Sequence, residues 1–123
     1  MKKVAILGAT GMVGQRFITL LENHPDFQTT ALCASERSKG KKYLDATKWV
    51  IKEPMPNWVK DQTVLGSTPN EVKDIDLAFS CLPGNTAKQT EEDFAKAGIP
   101  VVSKASAHRM ENDVPLLIPE VNP

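Results

Sequence analysis

The sequence has no surplus of either charge: its 123 residues hold 15 Lys plus Arg against 15 Asp plus Glu, a formal net charge of zero with both histidines neutral. That balance excludes a strongly basic nucleic-acid binder and a polyacidic tail. Cysteine is scarce as well, limited to Cys33 and Cys81, so no disulfide framework holds the fold, and free thiols agree with a reducing compartment. Long apolar runs are missing. Val4-Ala5-Ile6-Leu7 is too short for the core of a secretory signal, and no run approaches the ~18 residues of a membrane span. A cytoplasmic location with no membrane partner is the expectation. No grouping of His, Cys, Asp and Glu has metal-ligand spacing, and neither a Ser-His-Asp nor a paired-carboxylate arrangement can be assembled, so neither a metal nor a catalytic residue is assigned.

What is present is ordinary for a folded chain: 41% apolar residues, 24% charged, 7 Gly and 9 Pro. A chain of this size buries roughly two-thirds of the surface that it exposes when unfolded, enough for a core without staples. Residues 1–123 therefore read as one domain. Enzymes that work through a dinucleotide usually pair a binding domain with a catalytic one. There is room here for one.

The apolar, partly β-branched run Val4 to Leu7 reads as a buried strand ending at Gly8. From Met12 to Asn23 the apolar residues Met12, Val13, Phe17, Ile18, Leu20 and Leu21 recur at helical spacing until His24-Pro25 stops them. A second strand is expected over Thr29 to Ala34, then an exposed basic loop from Ser35 to Lys42. Tyr43 to Pro69 predicts irregular structure, with short edge strands near Lys48 to Lys52 and Thr63 to Leu65. Leu77-Ala78-Phe79 predicts a buried strand, Thr86 to Ala97 a helix on Ala87, Phe94 and Ala97 closed by Gly98, and Ile99 to Ser103 a last strand. This alternation predicts an α/β fold, a doubly wound and mostly parallel sheet of Rossmann type.

Gly8-Ala9-Thr10-Gly11-Met12-Val13-Gly14 follows the first strand and opens the first helix. Glycine permits a sharp turn and close approach to a pyrophosphate, and the helix N-terminus offers unpaired N–H groups and the positive end of its dipole. The alternative is a tight structural turn. After the second strand, where an acidic residue commonly holds the ribose of NAD, the chain reads Ala34-Ser35-Glu36-Arg37-Ser38-Lys39. Its guanidinium and hydroxyl donors suit a 2′-phosphate and so favour NADP; a merely solvated loop is the alternative. Lys39 to Tyr43 has no accompanying basic face or stacking platform for nucleic acid. Cys81 follows the predicted buried strand at Phe79-Ser80 and Cys33 sits inside another, where a thiol packs as a small apolar group and stays protonated.

Four blocks occur in order: the Gly8–Gly14 turn, Ser35-x-Arg37-Ser38-x-Gly40, Phe79-Ser80-x-Leu82-Pro83, and Ala105-Ser106-Ala107-His108-Arg109-Met110 before Asp113-Val114-Pro115-Leu116-Leu117-Ile118-Pro119-Glu120-Val121-Asn122-Pro123. Together they resemble the aspartate-semialdehyde dehydrogenases of archaea, fungi and some bacteria, whose close paralogues include an archaeal malonyl-CoA reductase. The similarity runs over essentially the whole chain. It implies NADPH-dependent reduction of L-aspartyl 4-phosphate to L-aspartate 4-semialdehyde and phosphate, an early step towards lysine, threonine and methionine. It further implies that Gly8, Thr10, Gly11, Met12 and Val13 hold the pyrophosphate, that Ser35, Arg37 and Ser38 hold the 2′-phosphate, and that Leu82, Pro83 and Gly84 border the nicotinamide. Arg109 matches an arginine used for the substrate phosphate. Lys104 stands where relatives often carry Asn, as a further phosphate contact or as a mark of altered chemistry.

In that family the nucleophilic cysteine lies in an Asn-Cys-Ser/Thr segment beyond Pro-Glu-Val-Asn-Pro, with the general-base histidine farther on. Neither segment occurs in these 123 residues. The chain is expected to be the cofactor-binding portion, inactive alone, of a larger homodimeric or homotetrameric enzyme whose C-terminal catalytic and dimerisation domain is supplied in cis or in trans. A non-catalytic NADP-binding module and a malonyl-CoA reductase paralogue are the competing expectations.

Overall fold

The structure, a computed structural model, describes residues 1–72 and 74–103. Lys104, Arg109 and the Ala105 to Met110 block lie outside the described residues. In chain order the elements are β1 (Lys2–Leu7), α1 (Met12–Leu21), β2 (Phe27–Ala34), α2 (Tyr43–Ala46), α3 (Asn57–Lys60), β3 (Leu65–Gly66), β4 (Leu77–Ser80), α4 (Gly84–Lys96) and β5 (Val101–Ser103). The five strands form one sheet in the order β3-β2-β1-β4-β5, with every pairing parallel. This is the doubly wound arrangement expected from the alternation of strands and helices. The strand order reverses direction at β1, so the sheet opens a crevice at the carboxyl ends of its central strands.

Because β1 sits in the middle with cover on both faces, Val4 to Leu7 are all fully buried. Alternate residues feed separate cores. Val4 and Ile6 pack with Ile18, Leu21, Tyr43, Val59 and Val64, whereas Ala5 and Leu7 pack with Ala31, Cys33, Ala78 and Phe94. Burial of Val4, Ile6 and Leu7 contributes roughly 1.5–3 kcal/mol apiece. The second strand begins at Phe27, two residues before its expected start, because Phe27 and Gln28 pair with Lys2 and Lys3; Thr30 is an extra residue in the register, Val4 pairing with Thr29 and Ala5 with Ala31.

Helix α1 forms where its spacing predicts, yet its buried face is Gly14, Gln15, Ile18 and Leu21. Met12 and Leu20 instead face solvent. The helix stops as Asn23 takes a left-handed φ of 59°, and His24 Nδ1 accepts hydrogen bonds from the N–H groups of Asp26 and Phe27. Helix α4 starts at Gly84 rather than Thr86, because the Pro83 carbonyl accepts from the N–H groups of both Thr86 and Ala87. Its inward positions are Ala87, Glu91 and Phe94, and Ala97 is exposed. Gly98, with φ of 84°, ends it as expected.

The middle segment departs most from expectation. No strand forms near Lys48 to Lys52. Pro54 and Pro56 lack N–H groups to extend a ladder, the Trp49 indole N–H donates to the Glu53 carbonyl at 2.6 Å, and the backbone from Lys48 to Val50 pairs with a side chain instead of a neighbouring strand. The edge strand expected over Thr63 to Leu65 lies at Leu65–Gly66. Val64 is taken up by Gly40 and Lys41: its carbonyl accepts from Gly40 N and its N–H donates to Lys41 O, both at 2.8 Å. The single turns α2 and α3 were not legible as helix.

Candidate functional site

The carboxyl end of β1 runs into a turn whose three glycines face different surroundings. Gly8 has φ of 79°, and a Cβ there would lie 2.9 Å from the Cys81 carbonyl oxygen. Gly14, inside α1, faces the Gly8 carbonyl and lies where a Cβ would come 2.7 Å from Ala9 Cα, so the helix rests directly on the turn. Gly11 is open: the nearest atom to a Cβ there would be the Gly8 oxygen at 3.8 Å. Gly11 is the N-cap of α1, no side chain caps it, and no acidic residue lies in the first turn. The first N–H groups of the helix, at Met12 and Val13, have no carbonyl within the helix to bond. The turn is therefore closed on two sides and open to an anion on the third.

The turn is anchored to its neighbours by its backbone and its carbonyls. Gly8 N and Ala9 N both donate to the Cys33 carbonyl at 2.9 Å. The buried Tyr43 hydroxyl donates to Ala9 O at 2.6 Å, and the Thr47 hydroxyl donates to Thr10 O at 2.6 Å. Tyr43 and Thr47 stand four residues apart, across one helical turn, which brings both hydroxyls to the same side. Burial of its ring raises the Tyr43 phenol, and the Thr47 hydroxyl opposes this, so the phenol remains a donor.

The loop after β2 folds on itself, the Ser35 carbonyl accepting from Ser38 N at 2.9 Å and Lys39 N at 3.0 Å. Its cations part company. Lys39, one of the residues suited by sequence to a 2′-phosphate, turns away to an ion pair with Glu71 at 2.7 Å. The hydrogen bond to Glu71 raises the Lys39 ammonium, and the hydrogen bond to Lys39 lowers the Glu71 carboxyl. Lys42 lies 3.8 Å from Asp61. Arg37 and Lys41 instead line a cleft of about 410 Å³.

That cleft joins the two motifs. Its walls are Thr10, Met12 and Gln15 from the glycine turn, Ser35, Arg37, Ser38 and Lys41 from the loop, and Ala46, Thr47, Lys48 and Val50 from the segment after α2. Among the described residues, three cations and no carboxylate line it. Glu36 is not among the lining residues, which leaves the acidic position of NAD binders unfilled at the cleft wall. Leu82, Pro83 and Gly84 lie on the other side of the turn, after β4. There Cys81 N donates to Leu7 O at 2.8 Å and brings the chain after β4 alongside Gly8.

The structure thus gathers Thr10, Met12, Ser35, Arg37 and Ser38 into one cavity, with Gly8, Gly11 and Val13 in the turn beside it. It adds Gln15, Lys41, Thr47 and Lys48, which sequence reasoning missed. One signal was available for Gln15: a polar residue on the buried stripe of an amphipathic helix requires hydrogen-bond partners. Cys33 is fully buried, and burial, followed by the nearby Glu71 charge, pushes its thiol up to about 12. It is protonated and inert. Cys81 is half-buried against the core. Among the described residues no group of His, Cys, Asp and Glu could hold a metal, and no helix is long and apolar enough to cross a membrane.

A family model described as semialdehyde dehydrogenase, NAD binding domain, matches residues 3–123. The chain is 52% identical over 123 residues to an aspartate-semialdehyde dehydrogenase of Methanothermobacter thermautotrophicus, covering all of this chain and 35% of that protein. It is 43% identical to a malonyl CoA reductase (NADP) of Metallosphaera sedula, covering 98% of this chain and 34% of that protein. The crystal structure of aspartate semialdehyde dehydrogenase with NADP from Candida albicans superposes with a TM-score of 0.95 at 47% identity, over 99% of this chain and 34% of that one. The chain spans about a third of the length of the relatives it matches.

Proposed function

The chain belongs to the semialdehyde dehydrogenase family, as its NAD-binding domain, and from that premise we propose that it binds NADP and supplies the cofactor half of an aspartate-semialdehyde dehydrogenase. The observation that carries this reading is the single cleft in which the glycine turn meets Ser35, Arg37 and Ser38. The residues fit the cofactor. Open space at Gly11 and an uncapped helix N-terminus suit a pyrophosphate, and a wall that among the described residues holds three cations and no carboxylate suits a further phosphate.

In this reading the free N–H groups at Met12 and Val13 bind the pyrophosphate, with Gly8, Thr10 and Gly11 shaping the turn. The Arg37 guanidinium grips the 2′-phosphate, and the Ser35 and Ser38 hydroxyls donate to it. Leu82, Pro83 and Gly84 lie past the turn, at the end of β4, and border the nicotinamide. Bound NADPH supplies the hydride that reduces aspartyl 4-phosphate to the semialdehyde. Arg109 and Lys104 are assigned to the substrate phosphate on the resemblance alone. On the resemblance, the nucleophilic cysteine and the base come from the catalytic domain of the family, and residues 1–123 serve as the binding domain.

Titration of the chain with NADPH and NADH tests the cofactor assignment. Wild type prefers NADPH, and Arg37→Ala loses about tenfold or more in NADPH affinity, the scale of a charge-assisted bidentate contact. Equal binding of NADH, or an unaffected Arg37→Ala, removes the 2′-phosphate assignment. A chain carrying the Asn-Cys segment, supplied in trans, restores phosphate-dependent oxidation of the semialdehyde; no turnover at saturating partner counts against the activity. The 43% identity to a malonyl CoA reductase supports a second reading in which the acyl substrate is a thioester. The same complemented enzyme offered both substrates separates the two.

A further inference from the structure

The Gln15 side chain is 1% exposed and uses every edge of its amide. Its Nε2 lies 3.1 Å from Thr10 O, 3.1 Å from Thr47 Oγ1 and 2.9 Å from Lys48 O. An amide nitrogen carries two hydrogens, so these acceptors share them. Its Oε1 accepts from Val50 N at 2.9 Å. Contact with Lys48 O and Val50 N is what an adjacent strand would make, and here one side chain makes it. The strap from Thr47 to Val50 therefore hangs on the helix that begins at the phosphate turn.

We propose that Gln15 is a positioning residue that couples the two phosphate subsites of the cleft and thereby sets preference for NADPH over NADH. Through Thr10 it holds the phosphate turn, and through Lys48 and Val50 it holds the strap that presents Lys48 to the 2′-phosphate. The inference rests on the cofactor reading above. NADH and NADPH share the pyrophosphate and differ only in the 2′-phosphate. A residue that braces the turn alone changes both affinities by one factor. A residue that also fixes the strap changes their ratio. Tyr43 is the internal comparison, since its hydroxyl donates to the turn at Ala9 O, and Tyr43→Phe removes that bond while keeping the edge contact of the ring with Trp49 in the strap. The two isosteres fail at Gln15 for different reasons: ionised Glu cannot donate to Thr10 and Lys48, and Met has no donor and only a weak acceptor in its thioether.

Calorimetric titration of the full chain with NADPH and NADH tests this in wild type, Gln15→Met, Tyr43→Phe, Lys48→Ala and the Gln15→Met/Lys48→Ala double variant. Gln15→Met lowers the affinity ratio of NADPH to NADH by about tenfold, the scale of one lost charge-assisted contact. Tyr43→Phe lowers both affinities together and leaves the ratio alone. Lys48→Ala lowers the ratio, and adding Gln15→Met to it lowers the ratio little further, because the two act through one contact. Should Gln15→Met fail to fold by circular dichroism, Gln15→Asn, which keeps the amide and shortens its reach, shows the same loss of ratio. Equal losses for both cofactors in the Gln15 variant, an unchanged ratio in Lys48→Ala, or additive losses in the double variant overturn the coupling while leaving the cofactor reading intact. A wild type that does not discriminate between the cofactors overturns the cofactor reading itself and the coupling with it.

Discussion

Gly14→Ala and Gly11→Ala make the same chemical change three residues apart and should fail in different ways. At Gly14 the new methyl meets the Gly8 carbonyl and sits 2.7 Å from Ala9 Cα and 2.9 Å from the Ala9 carbonyl carbon, all of them backbone atoms of the turn. These cannot swing aside as a flexible side chain would. Overpacking of this kind costs up to about 3 kcal/mol, and the better helix propensity of alanine returns at most about 1 kcal/mol, leaving a net loss of roughly 2 kcal/mol. For a domain of this size that lowers the midpoint of thermal unfolding by about 10 °C. At Gly11 the nearest atom is 3.8 Å away and φ is −79°, so alanine fits the folded backbone. Only the weaker N-cap preference of alanine is lost, about 0.5–1 kcal/mol. Its methyl, however, projects into the space left for the pyrophosphate, so NADPH affinity falls by about tenfold or more as amide contacts lengthen. Thermal unfolding by circular dichroism paired with NADPH titration separates the two. A Gly14→Ala protein as stable as wild type, or a Gly11→Ala protein that binds NADPH as tightly, would refute the division of labour among the glycines.

Three further outcomes follow from the geometry. Folding holds the Cys33 thiol at about 12, above its ordinary value of 9, so the unfolded chain releases this proton first. The contribution of this thiol to stability is then fully present below pH 9 and falls by about 1.4 kcal/mol per pH unit above it; urea unfolding across pH 8–10, below the range where the raised Tyr43 phenol and Lys39 ammonium add their own losses, reads the slope, and a flat profile contradicts the burial. Lys39→Ala leaves NADPH affinity within about twofold because its ammonium is held by Glu71, whereas Lys41→Ala lowers affinity in a salt-dependent way, and equal effects in titrations at two ionic strengths would contradict the separation. The Ser80 hydroxyl is fully buried with no hydrogen-bond partner among the described residues, so Ser80→Ala is neutral or stabilising by up to about 1 kcal/mol in urea unfolding, and a clear loss of stability would show that the hydroxyl has a partner.

The strands and the phosphate turn were legible because their signals are local. Val4 to Leu7 is an uninterrupted apolar run bounded by Gly8, and nothing but a central strand buries all of it. The segment from Tyr43 to Val64 was not, and the reason is physical. Its conformation is fixed by partners far away in sequence: Tyr43 by Ala9, Lys48 and Val50 by Gln15, Val64 by Gly40 and Lys41. No periodicity within the segment encodes those bonds. The same holds for the site. Ser35, Arg37 and Ser38 sit in a contiguous block after a strand, where position alone suggests their role, but Lys41 and Lys48 become candidates only once the chain has folded back over the turn.

Overall neutrality acquires a different meaning once the charges are placed. The balance of 15 against 15 forbids a general attraction to polyanions, yet it does not prevent local sorting. Acidic side chains are used to occupy the cations that the cleft does not need: Glu71 takes Lys39, Asp61 approaches Lys42, and Glu53 takes Arg16 at 2.9 Å. Arg37, Lys41 and Lys48 line the cleft with no carboxylate beside them among the described residues. The basic loop is thus divided by its partners, and a chain with no net charge still concentrates positive charge at one opening. Such a site suits a small, multiply charged ligand whose phosphates are reached separately, one by the open helix N-terminus and one by the guanidinium and the lysines. The two are tied together by a side chain, Gln15, that carries no charge.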